Sequence, residues 1–321
     1  MDSFIRKRLA SNPSVGVAFS LCMMVFVSFF AACPAFAAPI MVDNGTAEIL
    51  PKGKWDAEFH YGYYPFTRIK NTAYHGYKKG DGKMDRMSDT KMKYIGQVFL
   101  SELYYAVTDA LLVGGAFPYV VRNVRKQAFV GNEAVASDGV GDCAVRACLN
   151  LLDPAKNYFG ATIGAGVGFP LGNEDADPPA GNGRYDFTGA LVFTKIWDDA
   201  FKTHVTLCYT IPTRNRGYRY WNMYSEVSPG NVFHYGVVAD YALTKYINLL
   251  FEVNGWMAPE SRNAGYDKIP YTNYAKVDLV PGIQFKVTKD VTLEAALQIA
   301  VKKGGDFDYD VAPVFGVVAV F

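Results

Sequence analysis

Apolar and polar side chains alternate one by one along much of this chain, from about residue 54 to its end. In the segment WDAEFHYGYY, Trp55, Phe59 and Tyr63 fall on one face of an extended strand, whereas Asp56 and Glu58 fall on the other. A period of two residues predicts a β-strand with one apolar and one polar face. Because similar segments recur along the chain, the fold must offer two different environments to every strand.

Twelve such segments are predicted, and the connections between them alternate in length. Long polar loops follow the odd-numbered strands, over about residues 66–91, 123–139, 172–183, 213–229 and 258–273, and tight turns follow the even-numbered strands. The predicted strands cover about residues 54–65, 92–106, 110–122, 140–152, 158–171, 184–196, 200–212, 230–242, 246–257, 274–286, 290–302 and 310–321. Consecutive strands joined by tight turns must run antiparallel.

Three of the tight turns resemble one another, in the segments YAVTDALL, YALTKYIN and FKVTKDVT. Aligning them predicts a repeated hairpin whose cross-strand pairs keep apolar side chains on a common face. The predicted pairs are Tyr105 with Leu111, Tyr241 with Ile247, and Phe285 with Val291.

Two architectures can use alternating antiparallel strands, namely a soluble sandwich and a membrane barrel. Charges on the second face of strand after strand would be costly in a sandwich core, but they suit a wet lumen. The strands are also long enough to cross a bilayer, for which about 9 to 11 residues suffice. Aromatic residues gather towards strand ends, as in interfacial girdles: Trp55, Tyr63, Tyr105, Tyr119, Trp197, Phe201, Tyr209, Tyr241, Tyr246, Trp256 and Phe321.

The sequence therefore predicts an all-β fold, a transmembrane antiparallel β-barrel of about 12 strands with short periplasmic turns and long extracellular loops. An open sheet in hydrocarbon would leave unpaired backbone groups that cost several kcal/mol each, so the last strand is expected to pair with the first.

The first residues have the pattern of a secretory signal peptide. Three basic residues at 6–8 precede an apolar stretch from Val15 to Ala32, and Ala35 and Ala37 supply a cleavage pattern. The predicted divisions are a cleaved signal peptide over 1–37, a periplasmic segment over 38–53 and the barrel over 54–321. An alternative is a lipoprotein cleavage site that would leave Cys33 lipidated.

Charge and cysteine content exclude several classes of protein. Removal of residues 1–37 leaves 29 basic against 30 acidic residues, which argues against a nucleic-acid partner. It also leaves three cysteines, and an odd number cannot form a complete disulfide framework. Neither the cysteines nor any motif predicts a cofactor or a metal site.

The polar face supplies candidate lumen-lining residues, in which acids outnumber bases. Such a lumen either prefers cations or is closed by salt bridges that involve Arg146 or Lys286. Three glycines of the fifth strand, Gly164, Gly166 and Gly168, either make room there or admit a close backbone. The lumen-lining candidates are Asp56, Glu58, His60, Glu102, Asp142, Arg146, Asp240, Glu252, Asp278, Lys286 and Glu294.

Several blocks resemble a known family, the bacterial outer-membrane barrels called MetA-pathway phenol-degradation-like proteins. They are DNGTAEILPKGKWDAEFHYGY, ELYYAVTDALLVGGAFPY, GVGDCAVRACLNLL and ATIGAGVGFPLGN, within a match that runs from about Asn44 to Phe321. The resemblance implies a transport role, with small aromatic or hydrophobic compounds as cargo, and it brings no catalytic residues.

The predicted function is passive transport through the outer membrane of a Gram-negative bacterium. The alternatives are a non-conducting structural or adhesive barrel and a lipid-hydrolysing enzyme that would use His204 or His234. The predicted partners are outer-membrane lipid and lipopolysaccharide, a small-molecule cargo, and the barrel-assembly machinery. A strand that ends in an aromatic residue resembles the signal this machinery recognises, so Phe321 is the predicted assembly signal.

Overall fold

The structure is a computed structural model that describes residues 46–69, 75–77, 84–86, 93–128, 131–173, 180–216, 226–263, 273–302 and 307–321. The predicted signal peptide, Cys33 and residues 38–45 lie outside these ranges, as do most of the first long loop and residues 174–179. In the described residues, no helix is long and apolar enough to cross a membrane.

The described residues form nineteen strands, numbered here in chain order. They are β1 Trp55–Ile69, β2 His75–Tyr77, β3 Met84–Arg86, β4 Lys93–Ala106, β5 Leu111–Ala128, β6 Gly131–Val140, β7 Cys143–Leu152, β8 Gly160–Phe169, β9 Asp186–Ile196, β10 Phe201–Pro212, β11 Asn215–Arg216, β12 Glu226–Ser228, β13 Val232–Ala242, β14 Ile247–Ala258, β15 Arg262–Asn263, β16 Tyr274–Lys286, β17 Val291–Lys302, β18 Phe307–Tyr309 and β19 Val311–Val320.

One antiparallel sheet of fourteen strands closes into a barrel. β6 and β7 make one crossing interrupted at Gly141 and Asp142, and β18 and β19 make one interrupted at Asp310, so the fourteen strands give twelve crossings. β1 pairs with β4 on one side and with β19 on the other. This closed twelve-stranded antiparallel barrel confirms the predicted fold class and the predicted pairing of the last crossing with the first.

The seam that closes the barrel extends to the last residue. The ladder between β1 and β19 runs from Asp56 opposite Val320 to Gly62 opposite Val314. Beyond it, the Trp55 N–H donates to the Phe321 carbonyl at 2.8 Å, and the Phe321 N–H donates to the Trp55 carbonyl at 3.0 Å. Closure leaves no free sheet edge at this seam, which is the condition for a sheet in hydrocarbon.

The two faces of the barrel wall differ as the alternation predicts. Large apolar side chains such as Phe117, Val145 and Phe187 stand exposed on the outside. The alternate positions point inwards, where polar side chains such as Glu252 and Asp278 are fully buried. An exposed apolar belt around a polar interior is the arrangement that a lipid bilayer stabilises.

The repeated hairpins are present, but their register differs from the predicted one. Tyr105 lies opposite Val113, Tyr241 opposite Leu249 and Phe285 opposite Leu293, a shift of two residues. In the first turn the Val107 N–H donates to the Leu111 carbonyl at 2.9 Å, so these two residues close the turn. A shift of two keeps every side chain on its face, which is why the facial pattern could not detect it.

These turns, residues 107–110, 243–246 and 287–290, lie at the same end of the barrel as the connections 153–159 and 197–200. We call this the tight-turn end, and we call the opposite end, where the long loops lie, the long-loop end. In each repeated turn the Thr hydroxyl accepts backbone N–H groups two or three residues on. These residues are Thr108, Thr244 and Thr288.

Part of the long-loop end is more ordered than the predicted loops. Residues 123–128 and 131–139, which lie in a predicted loop, instead continue β5 and β6 as paired strands from Tyr119 opposite Val140 to Ala128 opposite Gly131. The short strands β11, β12 and β15 form a separate three-stranded sheet between the predicted loops 213–229 and 258–273. These segments lack clean alternation because they project beyond the barrel wall, where no apolar surroundings select one face.

Candidate functional site

The interior of the barrel is the candidate functional site, and its most concentrated feature is a group of carboxylates around His60. Asp56, Glu58 and His60 point inwards from β1, and Glu58 lies directly opposite Glu102 of β4. Glu294 reaches the same place from β17, although β19 lies between β17 and β1. We call Asp56, Glu58, His60, Glu102 and Glu294 the carboxylate–histidine cluster.

A glycine makes this meeting possible. Gly316 of β19 lies opposite both His60 and Glu294 in the two ladders. A Cβ atom at Gly316 would lie 2.6 Å from His60 Cδ2 and 2.9 Å from Glu294 Oε2. Because Gly316 has no side chain, His60 and Glu294 approach each other across the strand that separates theirs.

The donor atoms of the cluster lie close together. His60 Nε2 is 3.6 Å from Glu58 Oε2 and 3.5 Å from Glu294 Oε2. One ligand atom from each of Glu58, His60 and Glu102 fits within 4.8 Å of the others. Glu294 is held through its other oxygen, which accepts from Gln284 Nε2 at 2.6 Å.

Arg146 joins the cluster to a solvent-accessible part of the lumen. Its Nη1 donates to Glu102 Oε1 at 2.9 Å and to the Tyr104 hydroxyl at 3.1 Å. Its side chain is 47% exposed, although Arg146 lies in the middle of β7, opposite Gly114 and Gly166. Water therefore reaches the interior of the barrel beside β7.

The walls of the lumen are unequal around the barrel. Inward positions of β7, β8 and β9 carry small, partly exposed residues, among them Ala144, Gly166, Gly168 and Ala190. On β13, β14, β16 and β17 inward positions pack together, and Val238, Leu250, Val280 and Ala296 form a buried cluster. We call the part of the lumen lined by β7, β8 and β9 the small-residue side, and its wall is less tightly packed than the wall opposite.

A second polar group lies nearer the long-loop end. Asp278 is fully buried, and its Oδ2 accepts from Lys276 Nζ at 2.8 Å, from Gln298 Nε2 at 2.7 Å and from the Tyr309 hydroxyl. Lys276 Nζ also lies 3.9 Å from the centre of the Tyr309 ring and 5.0 Å from that of Trp256.

Trp256 departs from its predicted place in the aromatic girdle. It occupies an inward register position on β14, and its ring stacks on His234 with centroids 5.1 Å apart. With Tyr309 and Tyr64, whose rings lie 5.6 Å apart, it makes part of the inner wall aromatic. A girdle position and an inward position differ by one residue in register, so the residue type alone could not separate them.

The other predicted lumen residues have separate surroundings. Asp142 accepts from the backbone N–H of Gly172 at 3.1 Å and of Asn182 at 2.6 Å, so it anchors the base of a long loop. Asp240 is buried opposite Lys202, and Glu252 is buried beside Asn254. Lys286 is half-buried on β16 at the tight-turn end.

Residues 46–50 cross the lumen at the tight-turn end, a feature that the sequence did not predict. From β1 they reach the opposite wall, where the Ala47 N–H donates to Thr194 Oγ1 at 2.8 Å and Asn150 Nδ2 donates to the Ala47 carbonyl. Lys202 Nζ pairs with Glu48 Oε1 at 2.7 Å. We call residues 46–50 the crossing segment.

The histidines considered for an enzyme have other partners. His204 Nδ1 lies 2.9 Å from Thr194 Oγ1, with both residues almost fully buried. His234 stacks on Trp256. The Thr194 hydroxyl that contacts His204 also accepts from the Ala47 N–H, so it takes part in binding the segment 46–50.

Comparisons with known proteins identify the relatives of this fold. A sequence model of the family described as "Putative MetA-pathway of phenol degradation" matches residues 87–306. A comparison with curated proteins found no match. The fold is similar to the crystal structure of an outer membrane channel from Pseudomonas putida F1, with a TM-score of 0.66 and 16% identity over 87% of this chain and 100% of that chain.

Two further solved structures are less similar. The NanC porin aligns with a TM-score of 0.48 and 9% identity over 82% of this chain and 98% of that chain. The toluene transporter TbuX of Ralstonia pickettii aligns with a TM-score of 0.45 and 11% identity over 86% of this chain and 91% of that chain. At these identities the similarity concerns the barrel fold.

Proposed function

Because the chain belongs to the MetA-pathway family of phenol degradation and folds as a closed barrel of the outer-membrane type, we propose that it is a channel through which small molecules cross the outer membrane passively. The observation that carries this proposal is the exposure of the inward-facing Arg146 in the middle of the barrel wall. A barrel filled by its own side chains would bury such a residue.

The cargo that fits this interior is small and combines a ring with a polar group. The family description supports aromatic compounds, and Tyr64 and Trp256 are half-buried aromatic residues of the inner wall. A ring face stacks on an aromatic cargo, while the exposed guanidinium of Arg146 binds its polar substituent. Phenol itself has this chemistry.

The orientation proposed for the channel follows the distribution of its connections. In outer-membrane barrels the short turns face the periplasm and the long loops face outwards. The tight-turn end of this barrel would then be periplasmic, and the crossing segment would lie at the periplasmic mouth. Lipid covers the apolar belt, and lipopolysaccharide surrounds the long loops.

A pair of neighbouring positions on β9 tests the path. Ala190 faces the lumen on the small-residue side, and Gly189 faces outwards with open space around it. We expect Ala190→Leu to lower single-channel conductance in planar bilayers at least twofold, because the added side chain enters the accessible space. Gly189→Leu adds the same side chain on the lipid face and should leave conductance unchanged.

Uptake in cells tests the cargo. A deletion strain should take up labelled phenol at micromolar concentration more slowly than a strain complemented with the wild-type gene, and complementation by Ala190→Leu should be incomplete. A wild-type barrel that gives no conductance, together with a deletion strain that takes up phenol at the normal rate, would contradict the channel and favour a structural barrel.

A further inference from the structure

The carboxylate–histidine cluster holds more negative charge than its neighbours neutralise. Its four carboxylates meet one imidazole and the guanidinium of Arg146, so at least two negative charges remain even when His60 is protonated. Asp56, Glu58 and Glu294 are almost fully buried. Burying unpaired carboxylates is strongly unfavourable, so a cluster of this kind requires additional protons or a cation.

The surroundings of one oxygen in the cluster indicate that a ligand binds here. The Glu294 side chain is 1% exposed, and its Oε2 has no hydrogen-bond partner although it points at His60. His60 Nε2 also lacks a hydrogen-bond partner. These two atoms form an ion pair with each other at 3.5 Å, but without hydrogen-bond geometry. A buried donor or acceptor that makes no hydrogen bond costs about 1–3 kcal/mol, so a third group that binds both atoms would be stabilising.

The spacing of these atoms fits a metal ion. Two ligand bonds of about 2.1 Å at a tetrahedral angle separate their donor atoms by about 3.4 Å. The distances from His60 Nε2 to Glu58 Oε2 and to Glu294 Oε2 are 3.6 and 3.5 Å. Glu102 offers a further donor, which lies within 4.8 Å of the ligand atoms of Glu58 and His60, and its Oε1 is oriented by Arg146 and Tyr104.

We propose that Glu58, His60, Glu102 and Glu294 form a binding site for one divalent transition-metal ion inside the barrel. One imidazole nitrogen with carboxylate oxygens is a donor set that Zn²⁺ accepts readily. A divalent ion also supplies the two positive charges that the cluster lacks. Because its ligands come from β1, β4 and β17, the ion ties together both sides of the seam that closes the barrel, whether or not the lumen conducts.

This site departs from the sequence expectation that the chain holds no metal. Only Glu58 and His60 are close in sequence, and their spacing of two residues on one strand is common. Glu102 and Glu294 join them through the β1–β4 register and through the gap at Gly316, which no local pattern reveals.

Calorimetric titration with Zn²⁺ tests the site on the full-length, tag-free barrel in detergent after treatment with EDTA. We expect the wild type to bind one Zn²⁺ per barrel. Glu294→Gln and His60→Gln should each weaken that binding at least tenfold. Glu252→Gln and His204→Gln are matched controls, because they change equally buried inward residues outside the cluster, and they should bind as the wild type does.

X-ray absorption at the zinc edge gives a second readout. The bound ion should show one imidazole nitrogen and carboxylate oxygens at about 2.0–2.2 Å. Heat-modifiable electrophoretic migration first shows which variants are folded; if Glu294→Gln is not, His60→Gln decides. The proposal is overturned if the wild type binds no stoichiometric Zn²⁺, if all variants bind alike, or if the ion has no nitrogen neighbour.

Discussion

At the scale of single residues, the interior depends on which side chains meet across strands, and Gly316 shows this most clearly. His60 and Glu294 are distant in sequence, and their strands are not neighbours in the sheet. They meet because β19 presents no side chain between them. Alternation along each strand predicted that both residues face inwards, but their contact depends on register and on one missing Cβ, which alternation does not encode.

Adding a methyl group at this position should therefore be costly. Gly316→Ala places a Cβ 2.6 Å from His60 Cδ2, closer than carbon atoms pack, so His60 or Glu294 must move. We expect a loss of about 1–3 kcal/mol in the free energy of unfolding, which is the usual cost of overpacking. Urea-induced unfolding of the barrel in lipid vesicles measures it.

Gly189→Ala is the matched control, because a Cβ at Gly189 has nothing within 4 Å. Its unfolding free energy should stay within about 0.5 kcal/mol of the wild type, as is usual for surface substitutions. Equal effects of the two alanines would show that the change acts through general strand propensity and not through the His60–Glu294 contact.

At the scale of elements, the strands were far easier to predict from sequence than the connections. All twelve crossings were located because each has an apolar face towards lipid and a polar face towards the lumen. Apolar and polar residues therefore alternate along each of these strands. The hairpin of β5 and β6 beyond Val120 was missed because it has no such contrast. The crossing segment was missed because the partners of residues 46–50, such as Thr194 and Lys202, are about 150 residues away along the chain.

The crossing segment gives an element-scale prediction about conductance. Its polar backbone is bound by Thr194 and Asn150, and Leu50 is buried against Ala106 and Val320, so it holds a fixed position across the tight-turn end. Removing residues 38–50 should widen that mouth and raise single-channel conductance at least twofold. Planar-bilayer recording of the purified variant measures this.

Glu48→Gln is a graded control, since it removes only the charge that Lys202 binds and keeps the backbone contacts. It should increase the frequency of brief openings with little change in conductance. If removal of residues 38–50 left the conductance at its wild-type value, the narrowest part of the path would lie elsewhere, and the group around Asp278 would be the next candidate.

At the scale of the whole molecule, closure is one event that depends on both ends of the sheet. The first and last crossings are more than 200 residues apart in sequence, yet β1 and β19 pair from Asp56 opposite Val320 to Gly62 opposite Val314. Contacts this distant in sequence form late, because the loop-closure entropy is lost before they stabilise the fold. The pairing of the first and last crossings was predicted because a barrel in a membrane must not leave free strand edges. The carboxylate–histidine cluster, which spans this seam, was not predicted and became apparent only in the structure.

The last pair of the seam separates two roles of Phe321. Its backbone donates to and accepts from Trp55, and its aromatic ring is the predicted signal for the assembly machinery. Phe321→Ser keeps both backbone hydrogen bonds and removes the ring, whereas deletion of Phe321 removes both. If the ring is the signal, both variants should reduce the amount of heat-modifiable barrel in outer membranes severalfold at equal expression, and both should fold alike from urea into detergent. If the ring is not recognised, Phe321→Ser should assemble as the wild type does. Only the deletion should then assemble poorly, because it leaves the Trp55 backbone groups unpaired at the seam.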